Sequence, residues 1–245
     1  MLPIRDHNPS RQTPIVTYAL IAANVLIFLS YADAFDEPRR LAQIFWDWGF
    51  VPARLSEGDG TLGLVTSIFL HGGWMHLAGN MLFLWIFGDN LEDEMGCLPY
   101  LIFYLACGLA ASIAQYVTEP LSQIPMVGAS GAIAGVMGGY LLLFPKAKVD
   151  ILLIFIVFFR IIPVPAWLML ALWFGFQVLR GVMADPSVGG VAYWAHAGGF
   201  VVGAIFAVPV WLKLGGAGFW RRTHGHPPHP DATYSRSSIP VIRRR

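Results

Sequence analysis

The chain has 245 residues, of which 56% are hydrophobic and only 13% are charged, and its mean hydropathy is +0.59. This composition lies outside the range of soluble globular proteins and predicts a polytopic membrane protein. The formal net charge of +1 excludes a broad electrostatic surface for nucleic acid.

Apolar runs of nearly twenty residues follow one another along the chain, which is about the length a helix needs to cross a bilayer. Runs bounded by charged residues, proline or glycine predict six transmembrane helices. Their approximate ranges are 14–31, 64–87, 98–117, 127–144, 164–180 and 194–213. The sequence therefore predicts an all-α fold, a polytopic membrane bundle of six helices.

The segments outside these runs are shorter or more polar. A long outer loop is predicted over 32–63, where IFWDWGFVPARL is typical of a segment at the membrane interface. Residues 150–160, DILLIFIVFFR, cover only about half a crossing, so we expect a loop at or in the membrane surface. The six-helix domain then covers 14–213, between a short N-terminal segment, 1–13, and a disordered tail, 214–245.

Basic residues near the ends of the predicted helices indicate the orientation. One side carries Arg5, Arg11, Lys146, Lys148, Lys213, Arg221 and Arg222. The other side carries Arg39, Arg40 and Arg54, with Arg180 at a helix margin. Because cytoplasmic loops are enriched in Lys and Arg, both termini are predicted to be cytoplasmic. The acidic connection 88–96, GDNLEDEMG, lies on that side too, but acidic residues count for little in this rule.

Polar residues inside the predicted helices cost free energy and are candidates for function, and four of them stand out, namely Ser130, His196, His76 and Asn80. At 1.5 Å per residue, Ser130 is roughly 21 Å from the cytoplasmic end of its helix, and His196 roughly 25 Å from the end of its own. His76 is roughly 20 Å above the end of the second helix, and Asn80 follows one turn later. A hydroxyl and two imidazoles are therefore expected at similar depth.

Small residues at a spacing of four accompany both Ser130 and His196. They are Gly131, Gly135 and Gly139 on one helix, and Ala195, Gly199 and Gly203 on the other. Such stripes let two helix backbones approach closely in a membrane. We therefore expect Ser130 and His196 to meet across two closely packed helices, with the imidazole as the base that activates a serine nucleophile. No acidic residue at similar depth completes a triad.

A serine nucleophile also needs hydrogen-bond donors for the negative oxygen that develops during the reaction. Ser130 is close to a predicted helix N-terminus, where free backbone N–H groups favour negative charge. His76 and Asn80, at i and i+4, project from one face of the second helix and can add side-chain donors. Together these groups predict a hydrolase site.

Three motifs, in this order and on these helices, resemble the rhomboid family of intramembrane serine proteases. They are HGGWMHLAGNM with His71, His76 and Asn80, GASGAIAG with Gly128, Ser130 and Gly131, and AHAGGFVVG with His196, Gly199 and Gly203. The resemblance covers about residues 14–213.

The resemblance implies specific roles at the matching positions. Ser130 would be the nucleophile, His196 its base, and His76, Asn80 and the Ser130 backbone N–H the oxyanion hole. Gly128, Gly131, Gly199 and His71 would be supporting residues, with His71 as a structural hydrogen-bonder. The resemblance further implies an endopeptidase of the lipid bilayer that cleaves membrane proteins in or beside their transmembrane helices, near the outer face, without a cofactor or metal.

Two positions depart from the family pattern. The first loop often carries an aromatic–Arg pair shortly before the second helix, and TLGLVTS (61–67) stands there instead. Many members have an aromatic residue one turn after the serine, where it stacks on the catalytic histidine, but here that residue is Ala134. We therefore expect Tyr193 or Trp194 to support His196, and we expect the fifth-helix residues Trp173, Phe174, Phe176 and Gln177 to serve packing or to face lipid.

Two other classes of function stay open at this point. One is a catalytically silent rhomboid-like protein that binds membrane clients, and the other is a small transporter with broken helices, although no internal repeat supports it. A soluble esterase is excluded because GASGA does not match the G-x-S-x-G elbow, and HGGWMH does not match the H-E-x-x-H metalloprotease motif. HGHPPH, 224–229, could at most bind a metal weakly. Short loops and the lack of a targeting segment favour a bacterial inner membrane.

Overall fold

The structure is a computed structural model that describes residues 2–155, 158–185 and 189–225, with the side chains of residues 154, 155 and 158 left out. It consists mainly of α-helices. In chain order these are α1 (Ile15–Ser30), α2 (Pro38–Trp48), α3 (Pro52–Ser56), α4 (Gly63–Thr66), α5 (Trp74–Met95), α6 (Cys97–Thr118), α7 (Ser130–Leu143), α8 (Ala166–Met183), α9 (Tyr193–Phe206), α10 (Val208–Lys213) and α11 (Ala217–Thr223). Short 3-10 helices cover Ala32–Asp36 and Ser67–Phe69.

The helices agree with an integral membrane protein. Among the described residues, three helical stretches are long and apolar enough to cross a bilayer, namely α6, α8 and Tyr193–Lys213, which α9 and α10 form together. Two shorter apolar helices, α1 and α7, coincide with two further predicted spans. The full count of six membrane-crossing helices, and the side on which the termini lie, stay predictions.

The second predicted span, 64–87, is displaced in the structure. Its first residues form α4 and a 3-10 helix, and the long helix α5 begins only at Trp74 and continues to Met95. The acidic stretch predicted as a connection, 88–96, therefore lies mostly inside α5. Acidic side chains of this stretch find hydrogen-bond donors in the N-terminal region. The Glu92 carboxylate accepts hydrogen bonds from the backbone N–H groups of Val16 and Thr17, at 2.9 and 2.8 Å. Glu92 thus caps the first turn of α1.

The expected all-α fold is wrong in one region, because the chain also contains a three-stranded antiparallel sheet. Strands β1 (Leu2–Asp6), β2 (Lys148–Phe155) and β3 (Phe158–Pro165) pair in the order β1-β2-β3. The described residues of the segment predicted as a loop at the membrane surface, 150–155 and 158–160, therefore belong to two paired antiparallel strands. Arg5 and His7 contact the Asp150 carboxylate at 2.7 and 2.9 Å, which attaches the N-terminal segment to this hairpin.

The segment predicted as a disordered tail is ordered in its first part. Helix α11 buries Phe219, and Trp220 donates a hydrogen bond to the carbonyl of Leu142 at 3.0 Å. The Lys146 amide also bonds to the carbonyl of Gly225, at 2.8 Å. Residues 226–245, the rest of the predicted tail, lie outside the described residues.

Helix α7 occupies the centre of the protein. Most of its residues are buried, and it packs against α5, α6, α8 and α9. The sheet and α11 lie near its C-terminal end, where Tyr140 donates a hydrogen bond to Asp6 at 2.6 Å. Ser130 is the first residue of α7, roughly 20 Å away along the helix axis. The candidate site therefore lies at the end of the bundle opposite the sheet.

Candidate active site

Helices α7 and α9 approach each other so closely that glycine is required at the contact. A Cβ atom added at Gly199 would overlap the carbonyl oxygen of Gly131, and one added at Gly203 would overlap the backbone of Gly135. Gly131 itself faces the Ala111 side chain of α6. The small-residue stripes of the sequence therefore lie in a three-helix contact, as the spacing of four predicts.

The structure brings the two central residues of the predicted site together. Ser130 at the start of α7 and His196 in the first turn of α9 face each other, and Oγ lies 2.7 Å from Nε2. This is a normal O–H···N hydrogen-bond distance. In this geometry the serine hydroxyl can donate to the imidazole, which is the arrangement that a base needs in order to remove the hydroxyl proton.

The other side of the His196 ring is supported by residues that sequence reasoning missed. Gln177 of α8 has its Oε1 2.8 Å from Nδ1 of His196, and the Trp173 ring lies 5.9 Å from the imidazole centroid at an angle of 33°. The expectation that Tyr193 or Trp194 provides the supporting ring was wrong, since the ring beside the imidazole is that of Trp173, while the Trp194 ring and the Tyr193 Cβ atom lie against Gly181 in the last turn of α8. The spacing of Trp173 and Gln177, one turn apart on a single helix, was the available signal.

His76 is oriented so that one ring nitrogen is available to a reaction partner. Its Nδ1 accepts a hydrogen bond from the Gly72 backbone N–H at 3.2 Å, so in the neutral ring the proton resides on Nε2. Nε2 points toward Gly128, where a Cβ atom would come within 2.8 Å of it. Gly128 also has a φ of +131°, which favours glycine. Gly128 is therefore needed for both backbone conformation and space.

Asn80 provides a second donor at the same place. Its Nδ2 atom lies 3.6 Å from the Cβ position of Gly128, is buried, and has no hydrogen-bond partner among the described residues. A buried amide donor without a partner costs free energy, so its retention suits a site that receives an acceptor. The first backbone N–H groups of α7, which begins at Ser130, have no acceptor within the helix itself.

His71 occupies a different environment from the one expected. Its imidazole is fully buried beside His76, with the ring centroids 5.1 Å apart, but neither ring nitrogen has a partner among the described residues. The backbone carries the hydrogen bonds instead, because the His71 N–H and carbonyl both bond to the Tyr31 hydroxyl, at 2.7 and 3.0 Å. His71 thus links the start of α5 to the end of α1 through its main chain.

A cavity of about 610 Å³ connects these groups. It is lined by Ser130, His196, His76 and Asn80, and by residues of the two connections that precede α7 and α9. Its volume is in the range of small-molecule and peptide sites. The described residues of both connections line this cavity, and residues 186–188 lie outside the described part of the chain.

The first loop is anchored without the aromatic–Arg pair of the family pattern at 61–67. Arg54 donates to the Trp46 carbonyl at 2.7 Å, and its guanidinium lies 5.8 Å from the centre of the Trp46 ring. Phe50 then pairs with Met126 through two backbone hydrogen bonds, at 3.0 and 2.7 Å. The loop thus has an aromatic–Arg contact, between Trp46 and Arg54, earlier than the family pattern has it. The loop is also hydrogen-bonded directly to the segment before Ser130.

No group of three or more His, Cys, Asp or Glu side chains that could hold a metal ion occurs in residues 2–155, 158–185 and 189–225. Most of the HGHPPH segment, 224–229, lies outside those ranges.

Comparison with known proteins gives consistent matches. A family model described as a rhomboid domain matches residues 59–213. Bacillus subtilis YdcA is 44% identical over 78 residues, which cover 32% of this chain and 39% of that protein. Rhomboid protein 1, mitochondrial, of Saccharomyces cerevisiae is 29% identical over 202 residues, 78% of this chain and 52% of that protein. The rhomboid protease GluP of Bacillus subtilis is 46% identical over 78 residues, 32% of this chain and 15% of that protein.

The chain spans about half of the length of these curated relatives or less. The matched domain nevertheless includes Ser130, His196, His76 and Asn80, which line the cavity. Since the family model covers more than half of the chain, the protein belongs to the rhomboid family.

Proposed function

We propose that this protein is an intramembrane serine endopeptidase that cleaves transmembrane segments of other membrane proteins near the outer face of the bilayer. The observation that carries the proposal is the 2.7 Å contact between Ser130 Oγ and His196 Nε2 in a cavity that also contains the Asn80 donor. Acyl transfer needs a nucleophilic hydroxyl that is hydrogen-bonded to a base, together with free donors nearby that can bind the oxyanion, and this cavity contains both.

The proposed reaction uses the side chains in turn. Ser130 Oγ attacks the carbonyl carbon of the scissile peptide while its proton passes to Nε2 of His196. The resulting oxyanion accepts hydrogen bonds from His76 Nε2–H, Asn80 Nδ2–H and the Ser130 backbone N–H. Collapse breaks the C–N bond, and His196 returns the proton to the leaving amine. A water molecule, deprotonated by His196, then hydrolyses the acyl-enzyme and regenerates Ser130.

The proposal extends to the setting of the enzyme. With both termini cytoplasmic and six helices crossing the bilayer, the end of α7 that carries Ser130 lies toward the outer face. Substrates would be membrane proteins whose helices unwind readily near the cut, because a peptide bond must leave its helix to enter the cavity. We propose a bacterial inner membrane as the location.

Covalent labelling with a fluorophosphonate, followed by intact-mass measurement on the purified protein in lipid, tests this function without a known substrate. We expect one adduct on the wild type and none on Ser130→Ala or His196→Ala, because the label needs an activated serine. Ser30→Ala is the matched control, since Ser30 lies at the end of α1, bonds to the Ile27 carbonyl and does not line the cavity, so its loss should leave the adduct in place.

The outcomes separate the two candidate functions. An adduct that survives in Ser130→Ala would contradict the assignment of the nucleophile. Absence of an adduct on folded wild-type protein would instead favour a rhomboid-like protein that binds membrane clients without cleaving them.

A further inference from the structure

We propose that Gln177 is a positioning residue that holds the His196 imidazole in the tautomer able to act as a base. The inference rests on the proposed function of the same site. It starts from the contact of Gln177 Oε1 with His196 Nδ1, at 2.8 Å, on the side of the ring opposite Ser130.

A neutral imidazole carries its single proton on one of its two nitrogens. For Nε2 to accept the Ser130 proton it must be unprotonated, so the ring proton must reside on Nδ1. That proton requires an acceptor, since a buried donor without one is costly. The Gln177 side-chain carbonyl is such an acceptor and stabilises the reactive tautomer relative to the other one.

The alternative tautomer requires both partners of the His196 ring to rearrange their hydrogen bonds. With the proton on Nε2, the His196 ring would present a donor to the Ser130 hydroxyl, and Nδ1 would face the Gln177 carbonyl with a lone pair. Gln177 would then have to rotate its amide to present Nε2–H₂ instead. Gln177 therefore performs, as a neutral acceptor, the orienting part of what a carboxylate does in a Ser-His-Asp triad.

The Trp173 ring assists by restricting the plane of the imidazole. Trp173 and Gln177 are one turn apart on the same face of α8, so one helix supplies both the ring contact and the hydrogen bond. Trp173 also lies against Phe200 of α9, at a centroid distance of 6.0 Å, which holds its ring beside His196. The orientation of His196 thus depends on where α8 lies.

Gln177 differs from the carboxylate of a Ser-His-Asp triad because its side chain is neutral. Gln177 orients the imidazole but brings no negative charge to the imidazolium that forms during the reaction. Replacement of Gln177 by Glu keeps the size and the acceptor and adds that charge, whereas Gln177→Met keeps the size and removes the amide. The two substitutions therefore separate orientation from charge.

The first test measures the tautomer directly. Imidazole ¹⁵N chemical shifts of the full-length protein in lipid, labelled at its seven histidines and assigned with His196→Ala, distinguish a protonated from an unprotonated Nδ1. We expect Nδ1–H in the wild type and a mixture of tautomers in Gln177→Met. Gln115→Met is the matched control, because Gln115 bonds to the Ala195 backbone N–H of α9 at 3.2 Å and not to the ring.

The second test follows the rate of fluorophosphonate labelling as a function of pH. We expect Gln177→Met to react about tenfold more slowly, which corresponds to the loss of one hydrogen bond. Gln177→Glu should recover most of the rate above neutral pH, with the acidic limb of its profile at higher pH than in the wild type, because a carboxylate favours the protonated ring. A merely structural role would not predict that the rate lost in Gln177→Met is recovered in Gln177→Glu, where an acceptor for Nδ1–H is present again.

The results distinguish the failure of this inference from the failure of the proposed function. If the wild type is not labelled, the protease proposal is wrong, while the tautomer measurement still decides the role of Gln177. If the wild type is labelled but Gln177→Met shows the same tautomer and the same pH profile, the inference about Gln177 is overturned.

Discussion

The two helices that contact His196 from either side are held in very different ways. Helix α7, which carries Ser130, is buried over most of its length and meets α9 at glycines whose replacement would cause backbone overlap. Helix α8, which carries Gln177 and Trp173, buries only Ala166 and Leu170 among its residues. Its outer face is exposed at Leu172, Phe176, Leu179, Val182 and Met183.

This difference separates two properties of the site. The distance between nucleophile and base is determined by contacts between backbones, which cannot be adjusted by side-chain rotation. The orientation of the base depends on α8, whose two buried residues, Ala166 and Leu170, lie near its N-terminal end. There the N–H groups of Ala166 and Trp167 bond to the carbonyls of Ala147 and Pro145, at 2.7 and 2.8 Å. We therefore expect changes at α7 and α9 to destroy the site and changes at α8 to tune it.

The largest effect is expected from adding one methyl group at the α7–α9 contact. Gly203→Ala puts a Cβ atom into the backbone of Gly135, so we expect a loss of about 1–3 kcal/mol in stability and loss of labelling as the helices separate. Gly175→Ala on α8 is the matched control, because nothing lies within 4 Å of that position. Thermal unfolding and labelling rates of both variants test this. Equal effects of the two substitutions would refute the difference between the helices.

An intermediate effect is expected at the ring that covers His196. Trp173→Ala should leave the protein folded and slow labelling roughly 2- to 10-fold, since an aromatic contact contributes about 0.5–1.5 kcal/mol. Trp167→Ala is the matched control, because Trp167 is a half-exposed tryptophan at the opposite end of α8. If both variants react at the same rate, support of the imidazole by Trp173 is not needed.

The smallest effect on the active site is expected at the sheet that leads into α8, where β1 contributes a partly buried carboxyl group. Burial raises the pKa of Asp6 from its ordinary value of 3.8 to about 7, against the hydrogen bond from Tyr140. The pKa of Asp6 is higher in the folded protein than in the unfolded chain, so the folded state favours the protonated carboxyl group. The contribution of Asp6 to the free energy of unfolding is therefore fully present below pH 3.8 and is lost as the pH rises through about 7. The folded protein should therefore lose stability between pH 5 and pH 8.

Comparison with Asp6→Asn isolates this contribution, because the amide does not titrate. We expect the melting temperature to fall more steeply from pH 5 to pH 8 in the wild type than in Asp6→Asn, by roughly 2–4 °C for each kcal/mol involved. Titration of the nearby Asp150 does not contribute to the change in melting temperature between pH 5 and pH 8. Burial raises its pKa, but the hydrogen bonds from Arg5 and His7 outweigh this and keep the pKa below 3.8, outside the scanned range. Asp36→Asn, at an exposed carboxylate, should behave like the wild type.

Local patterns predicted the helices and the central pair because those features depend on few residues. Glycine and alanine at a spacing of four indicated the α7–α9 contact, and the depth of Ser130 and His196 from the ends of their helices indicated that they could meet. His76 and Asn80, one turn apart, were expected on one face of a helix and both line the cavity. The roles assigned to them remain predictions that the labelling experiments test.

The prediction was wrong where distant segments decide the structure. The apolar run at 150–160 has the composition of a membrane-surface loop, but Leu2–Asp6 pairs with it as a third strand from the other end of the sequence. The start of the expected tail becomes α11 because Phe219 and Trp220 find apolar contacts and a hydrogen-bond acceptor beside α7. The strand partner, Leu2–Asp6, and the helix that α11 packs against, α7, both lie far away in the sequence, so local patterns do not predict these contacts.

The sequence by itself determined the class of the protein, the positions of most helices and the pairing of Ser130 with His196, since hydrophobic length and small-residue spacing are local properties. Only the tertiary structure decided that Gln177 and Trp173 support His196. Their side chains reach the imidazole because the sheet and the first turn of α8 orient that helix against α9. That orientation is the sum of contacts among residues far apart in the chain, so the one-turn spacing of Trp173 and Gln177 indicates that they share a face of α8 but not which neighbour that face contacts.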